Sequence, residues 1–189
     1  MHSLIQDKAI WYVMRGSGVV SLLLLTGVMT LGIATAKRWR PAGRPRFVTA
    51  ALHRSIALLA VVFVAIHVVT AVLDPYAIVG VTAVFVPFVA GRSAFWIGAG
   101  TISLDLLIAS IVTSLLRVRV GARAWRTVHL LAYLSWPVAV AHGLGAGSDG
   151  GTLWLWVLAS LCVGVVAVAL TSRLRAADGG KHLEPATSA

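Results

Sequence analysis

Five stretches of about twenty apolar residues, each bounded by charge, decide what this chain can fold into. A bilayer core of about 30 Å needs roughly 20 residues of helix, and backbone groups inside it must be paired within their own segment. The stretches cover about 10–36 (containing Arg15), 48–73, 95–116, 125–144 and 152–171. Soluble domains hold about 45–50% apolar and about 25% charged residues. This chain of 189 residues is 59% hydrophobic and 12% charged, with a mean hydropathy of +0.91. The expected class is all-α, an integral membrane helical bundle.

A sixth apolar stretch, 76–89, lies between Asp74-Pro75 and Gly91-Arg92 and is interrupted by Gly80 and Pro87. Its 14 residues suit an interfacial or re-entrant segment better than a span. Charge placement agrees, because Lys and Arg gather in short cytoplasmic loops. With five spans, one side holds six cations from Lys37 to Arg54, then Arg117, Arg119, Arg123 and Arg126, then Arg173, Arg175 and Lys181, which is 13 of 16. The other side holds Lys8, Arg15 and Arg92. Were 76–89 a span, the split would be 7 against 9 and the bias would vanish. The expectation is five transmembrane helices, N-terminus outside and C-terminus cytoplasmic, in a multi-pass protein of the bacterial cytoplasmic membrane.

The net charge of +10 is therefore read as topology and attraction to membrane lipid, with no nucleic acid as partner. Ala34-Thr35-Ala36 resembles a signal cleavage site, but the run before it exceeds the 7–15 residues of a normal signal core, so the first segment is read as a retained span. Residues 1–175 form one expected transmembrane domain, and the polar tail 176–189 is expected to be a disordered cytoplasmic extension. Cys162 stands alone, which excludes an internal disulfide and a cysteine-ligated cluster.

Four of the six histidines fall inside spans, where an ionisable side chain is a functional candidate by default. His53 and His67 are 14 residues apart in the second span, and His129 and His142 are 13 apart in the fourth. At 1.5 Å per residue these separations are about 21 Å and about 20 Å, most of the hydrocarbon thickness. Both spans run the same way, so His53 meets His129 at the inner depth and His67 meets His142 at the outer. Two facing imidazoles can fill both axial positions of a haem iron, and a six-coordinate iron carries electrons rather than binding substrate. Two haems stacked through the membrane divide one long electron hop into shorter ones. Zinc or copper suits the pattern less well, since the pairs are too far apart to share one ion. Helix phase sets His53 and His67 on one face but leaves His142 about 140° from His129. Pro137 lies between them and removes the donor to the Tyr133 carbonyl, so a kink or local rewind is expected there.

Leu52-His53-Arg54 with His67, followed by Trp125-Arg126-Thr127-Val128-His129-Leu130-Leu131-Ala132-Tyr133-Leu134 with His142, resembles the ferric reductase-like transmembrane domain family. That family includes the membrane parts of ferric reductases and NADPH oxidases and the haem subunit of periplasmic methionine sulfoxide reductase. The resemblance spans roughly residues 48–171. It implies that His53, His67, His129 and His142 are ligands of two b-type haems. Family members often have six spans, and larger relatives carry a C-terminal flavin and nicotinamide domain. The short tail here lacks a Rossmann glycine fingerprint. The expectation is an electron-transfer subunit of a transmembrane oxidoreductase, fed by a separate flavoprotein or by quinol and serving an extracytoplasmic acceptor.

Haem propionates need cations at the membrane faces. Arg54 and Arg126 are candidates for the inner haem and Arg15 and Arg92 for the outer, with snorkelling to lipid phosphates as the alternative. Asp105 falls near mid-membrane and is read as protonated or hydrogen-bonded beside Thr101 or Ser103, or as part of a proton or quinol path. Trp11, Trp96, Trp125 and Trp154 read as an interfacial belt, and 143–151 as a glycine-rich outer loop beside His142. Against the dihaem cytochrome stand a haem-free transporter or proton-conducting bundle with a histidine relay, and a structural assembly subunit.

Overall fold

The computed structural model describes residues 2–36, 46–147 and 149–181. Its helices are α1 (His2–Ala36), α2 (Arg46–Leu73), α3 (Thr82–Phe85), α4 (Ala94–Leu115), α5 (Arg117–Ala146) and α6 (Leu153–Lys181), and there is no strand among the described residues. Hydroxyls inside the apolar helices are satisfied locally. Thr26 donates to the Leu22 carbonyl at 2.7 Å, Thr70 to Ile66 at 2.7 Å and Ser110 to Leu106 at 2.8 Å, the back-bond that lets Ser and Thr sit in a lipid-facing helix.

Four helices are long and apolar enough to cross a membrane, over Lys8–Ala34, Phe47–Leu73, Ala94–Leu115 and Leu153–Arg175. The fourth expected span lies in α5, whose apolar part carries His129, Tyr133, Pro137 and His142 and falls short of that measure, while Arg117, Arg119, Arg123 and Arg126 occupy its first ten residues. Arg117, Arg119 and Arg123 were expected in a loop. Instead the helix begins directly after Leu116 and breaks at Gly121, whose φ of 80° favours a residue with no Cβ. Gly121 is also the position inside α5 where the dihedrals leave the helical region, so the bend expected at Pro137 is not a local break. α6 stays helical through Lys181, taking in the first six residues of the expected tail, and 182–189 lie outside the described residues.

The segment 76–89 contains one helical turn, α3, between turns with positive φ at Ile78, Gly80 and Phe88. It is pinned to α4 by Thr101, whose hydroxyl donates to the Ala83 carbonyl at 2.6 Å, and Ala83 is buried.

Two antiparallel hairpins make the bundle: α1 with α2, and α4 with α5. α6 packs on α1, and a core of Leu22, Ile33, Trp136, Val140, Ala159 and Cys162 joins α1, α5 and α6. The Trp136 indole locks this core by donating to Thr26 Oγ1 at 3.0 Å. Among the described helices α2 packs closely on α1 alone, which leaves a seam between the hairpins, with α2 on one bank and α4 and α5 on the other.

Candidate functional site

The four histidines of α2 and α5 face that seam at two levels. At the outer level the rings of His67 and His142 stand with centroids 6.2 Å apart and planes at 76°. His67 Nδ1 donates to the Met14 carbonyl and His142 Nδ1 to the Trp96 carbonyl, each at 2.8 Å. A carbonyl can only accept, so both Nδ1 atoms carry the proton and both Nε2 atoms keep a free lone pair. Each ring lies against a glycine four residues past the carbonyl that it uses. A Cβ on Gly18 would stand 2.9 Å from His67 Nδ1, and one on Gly100 would stand 2.7 Å from His142 Nδ1. Helical Cβ atoms lean toward the N-terminus, so a side chain at these positions would cover the carbonyl one turn back. Both imidazoles form part of the wall of one apolar cavity, with Val64, Leu104 and Ala139 beside them and Val79 and Ala83 of the 76–89 segment above.

At the inner level His53 and His129 are close enough to interact electrostatically. His53 rests beside Gly32, at 3.6 Å from where its Cβ would be, and its buried Nδ1 faces the Val28 backbone without reaching hydrogen-bond geometry. Ser114 takes the place of a glycine opposite His129. Its hydroxyl donates to the Ser110 carbonyl at 2.7 Å and stands 3.5 Å from His129 Nδ1. Trp125 stacks on His129 at 5.2 Å and donates its indole N–H to Ser114 at 3.2 Å, while the Arg117 guanidinium lies 4.2 Å over the Trp125 ring.

The pattern is a 14-residue period written on three helices: Gly18 and Gly32, His53 and His67, Gly100 and Ser114. Sequence reasoning found it in the histidines and missed it in their partners, because a glycine in an apolar helix reads as ordinary packing. Searching α1 and α4 for small residues at the histidine spacing would have found them. Trp125, read as part of an interfacial belt, is in contact with a site histidine.

Residues 16–140 match the ferric reductase-like transmembrane component family. The chain belongs to that family. The match takes in α1 to α5, with His53, His67 and His129, and stops two residues before His142. Domains of this family generally bind haem b and usually work with separate redox partners, and membership points to a membrane electron-transfer role for a multi-pass membrane protein. No curated protein and no solved structure matches the chain.

The outer pair fits a haem on its own geometry. Two metal–imidazole bonds of about 2 Å each, with about 1 Å from each coordinating nitrogen to its ring centre, span about 6 Å, close to the 6.2 Å observed. Among the described residues no three His, Cys, Asp or Glu side chains gather as a metal site. Arg54, Arg92 and Arg126 are exposed. Arg15 pairs with Asp149 of the outer loop and lies 4.0 Å over the Trp11 ring. Asp105 is exposed on α4, while Thr101 and Ser103 donate elsewhere, to the Ala83 and Ser135 carbonyls, so the expected pairing beside them is not formed.

Proposed function

We propose that the chain is a dihaem b-type cytochrome with five spans, α5 supplying the fourth, that carries electrons through the bacterial cytoplasmic membrane. The observation that carries this reading is the outer pair. The rings of His67 and His142 stand 6.2 Å apart, the spacing two axial imidazoles need, and each is clamped through Nδ1 by a backbone carbonyl and backed by a glycine, which in the neutral ring leaves Nε2 for a metal. The inner pair His53 and His129 lies 14 and 13 residues from the outer histidines on the same two helices, at the depth marked by Gly32 and Ser114. When bound, each haem supplies a one-electron ferric–ferrous couple at its level.

The protein's own residues do the remaining work. Carbonyl acceptors hold each outer ring in the tautomer that leaves Nε2 free, and apolar side chains keep water from the seam. Exposed Arg54 and Arg126 at the inner end, and Arg92 with Arg15 at the outer, are the cations for propionates. The distribution of 13 cations against 3 sets the inner level on the cytoplasmic side. Electrons enter there from a separate flavoprotein or quinol and leave to an extracytoplasmic acceptor.

Purified protein tests the reading. A red preparation with a Soret band and a reducible α band, at two haems per chain by pyridine haemochrome, is the expected result. A colourless preparation from haem-replete cells overturns it and leaves the haem-free histidine relay.

A further inference from the structure

The four imidazoles are not held alike. Three cradles share one design, a carbonyl followed four residues later by glycine: Met14 with Gly18, Val28 with Gly32, and Trp96 with Gly100. The fourth has Ser110 and Ser114. Its hydroxyl stands between the carbonyl and the ring, occupying the Ser110 carbonyl itself at 2.7 Å and receiving the Trp125 indole N–H at 3.2 Å. Thr113 adds a further hydroxyl donor to the same carbonyl at 3.3 Å. His129 Nδ1 is left with a hydroxyl at 3.5 Å, the edge of hydrogen-bond range, where each outer histidine has a carbonyl at 2.8 Å. His53, its partner across the seam, has no hydrogen bond on Nδ1.

Hydrogen bonds at Nδ1 reach the metal through the ring. An N–H held tightly by a carbonyl pushes electron density to Nε2, and a more electron-rich ligand stabilises the ferric state. A weakly held N–H does so less. We propose that Ser114 is a tuning residue that makes the two levels electrochemically unequal, the inner haem having the higher reduction potential and the outer the lower. The inference rests on the dihaem reading and adds an ordering to it. A single electron delivered to the protein then resides between His53 and His129. Movement of that electron to the outer level is uphill, so outward transfer completes only when an acceptor outside removes it.

The test is a dithionite titration of the purified holoprotein followed at the haem α band, with His142→Ala identifying the inner haem as the one retained. Two separated waves are expected, and the wave kept in His142→Ala is the higher. Ser114→Gly gives the fourth cradle the glycine of the other three, removes the shorter of the two hydroxyl bonds on the Ser110 carbonyl and opens its approach to His129, and is expected to shift only the higher wave downward. Ser114→Ala removes the hydroxyl but leaves a Cβ over the carbonyl, and is expected to leave that wave in place or raise it. Opposite behaviour of Gly and Ala separates tuning from general disturbance of the site. Retention of the lower wave in His142→Ala, an unmoved higher wave in Ser114→Gly, or equal shifts in Gly and Ala overturn the proposal while the dihaem reading stands. Absence of haem from the wild-type protein overturns the dihaem reading itself.

Discussion

The histidine rings depend on what stands behind them, and the smallest residues carry much of that burden. Gly100 admits no Cβ without displacing the His142 ring, since the atom would lie 2.7 Å from it. Gly100→Val is therefore expected to lower haem content from two per chain to about one, with the inner haem retained. Pyridine haemochrome assay with a redox titration reads this directly. Gly164 of α6 has nothing within 4 Å of its would-be Cβ, so Gly164→Ala is expected to keep both haems and serves as the control. The histidines were legible in the sequence because an imidazole in an apolar run is costly and therefore conspicuous. Their partners were not, because backbone carbonyls have no sequence signature and a glycine gives no sign of which ring it admits. Asp105 shows the converse: its depth was legible, but the side of α4 on which it lies depends on tertiary packing.

At the level of elements, α5 departs most from sequence reasoning. Its arginine-rich start was expected as a loop but extends the helix from Arg117, with the break placed at Gly121. His129 and His142 both reach partners on α4, Ser114 and the Trp96 carbonyl, although an ideal helix sets them about 140° apart. Spread over the 13 steps from one to the other that is about 11° each, and α5 keeps helical dihedrals through Pro137. The adjustment is distributed along the helix and its long side chains rather than concentrated at the proline. Pro137→Ala returns an N–H to the Tyr133 carbonyl and is expected to leave two haems and nearly superimposable titrations. Loss of one haem in this variant would show that the proline sets the ligand geometry after all. The 76–89 segment, expected to be interfacial or re-entrant, holds the single turn α3 and lies outside the four helices long and apolar enough to cross a membrane. Its place over the outer cavity was not legible, because it rests on Thr101 reaching the Ala83 carbonyl across 18 residues.

Two hairpins face each other across a seam at the scale of the whole molecule, and in the proposed reading orientation decides which level is inner. Native Cys162 is buried, so a cysteine placed on the surface reports without interference. Gly151→Cys, in the turn before α6, is expected to react with an impermeant thiol reagent in intact cells. Val118→Cys, 97% exposed at the start of α5, is expected to react only after the membrane is opened. The opposite labelling would reverse the levels. The central claim is that four histidines form two axial pairs, and it is tested most directly by haem stoichiometry and residual spectra in the four single alanine variants. His67→Ala and His142→Ala should each lose about half the haem and leave the same residual spectrum, while His53→Ala and His129→Ala should share the complementary one. Haem content equal to wild type in all four, or residual spectra that pair His53 with His67, would contradict it.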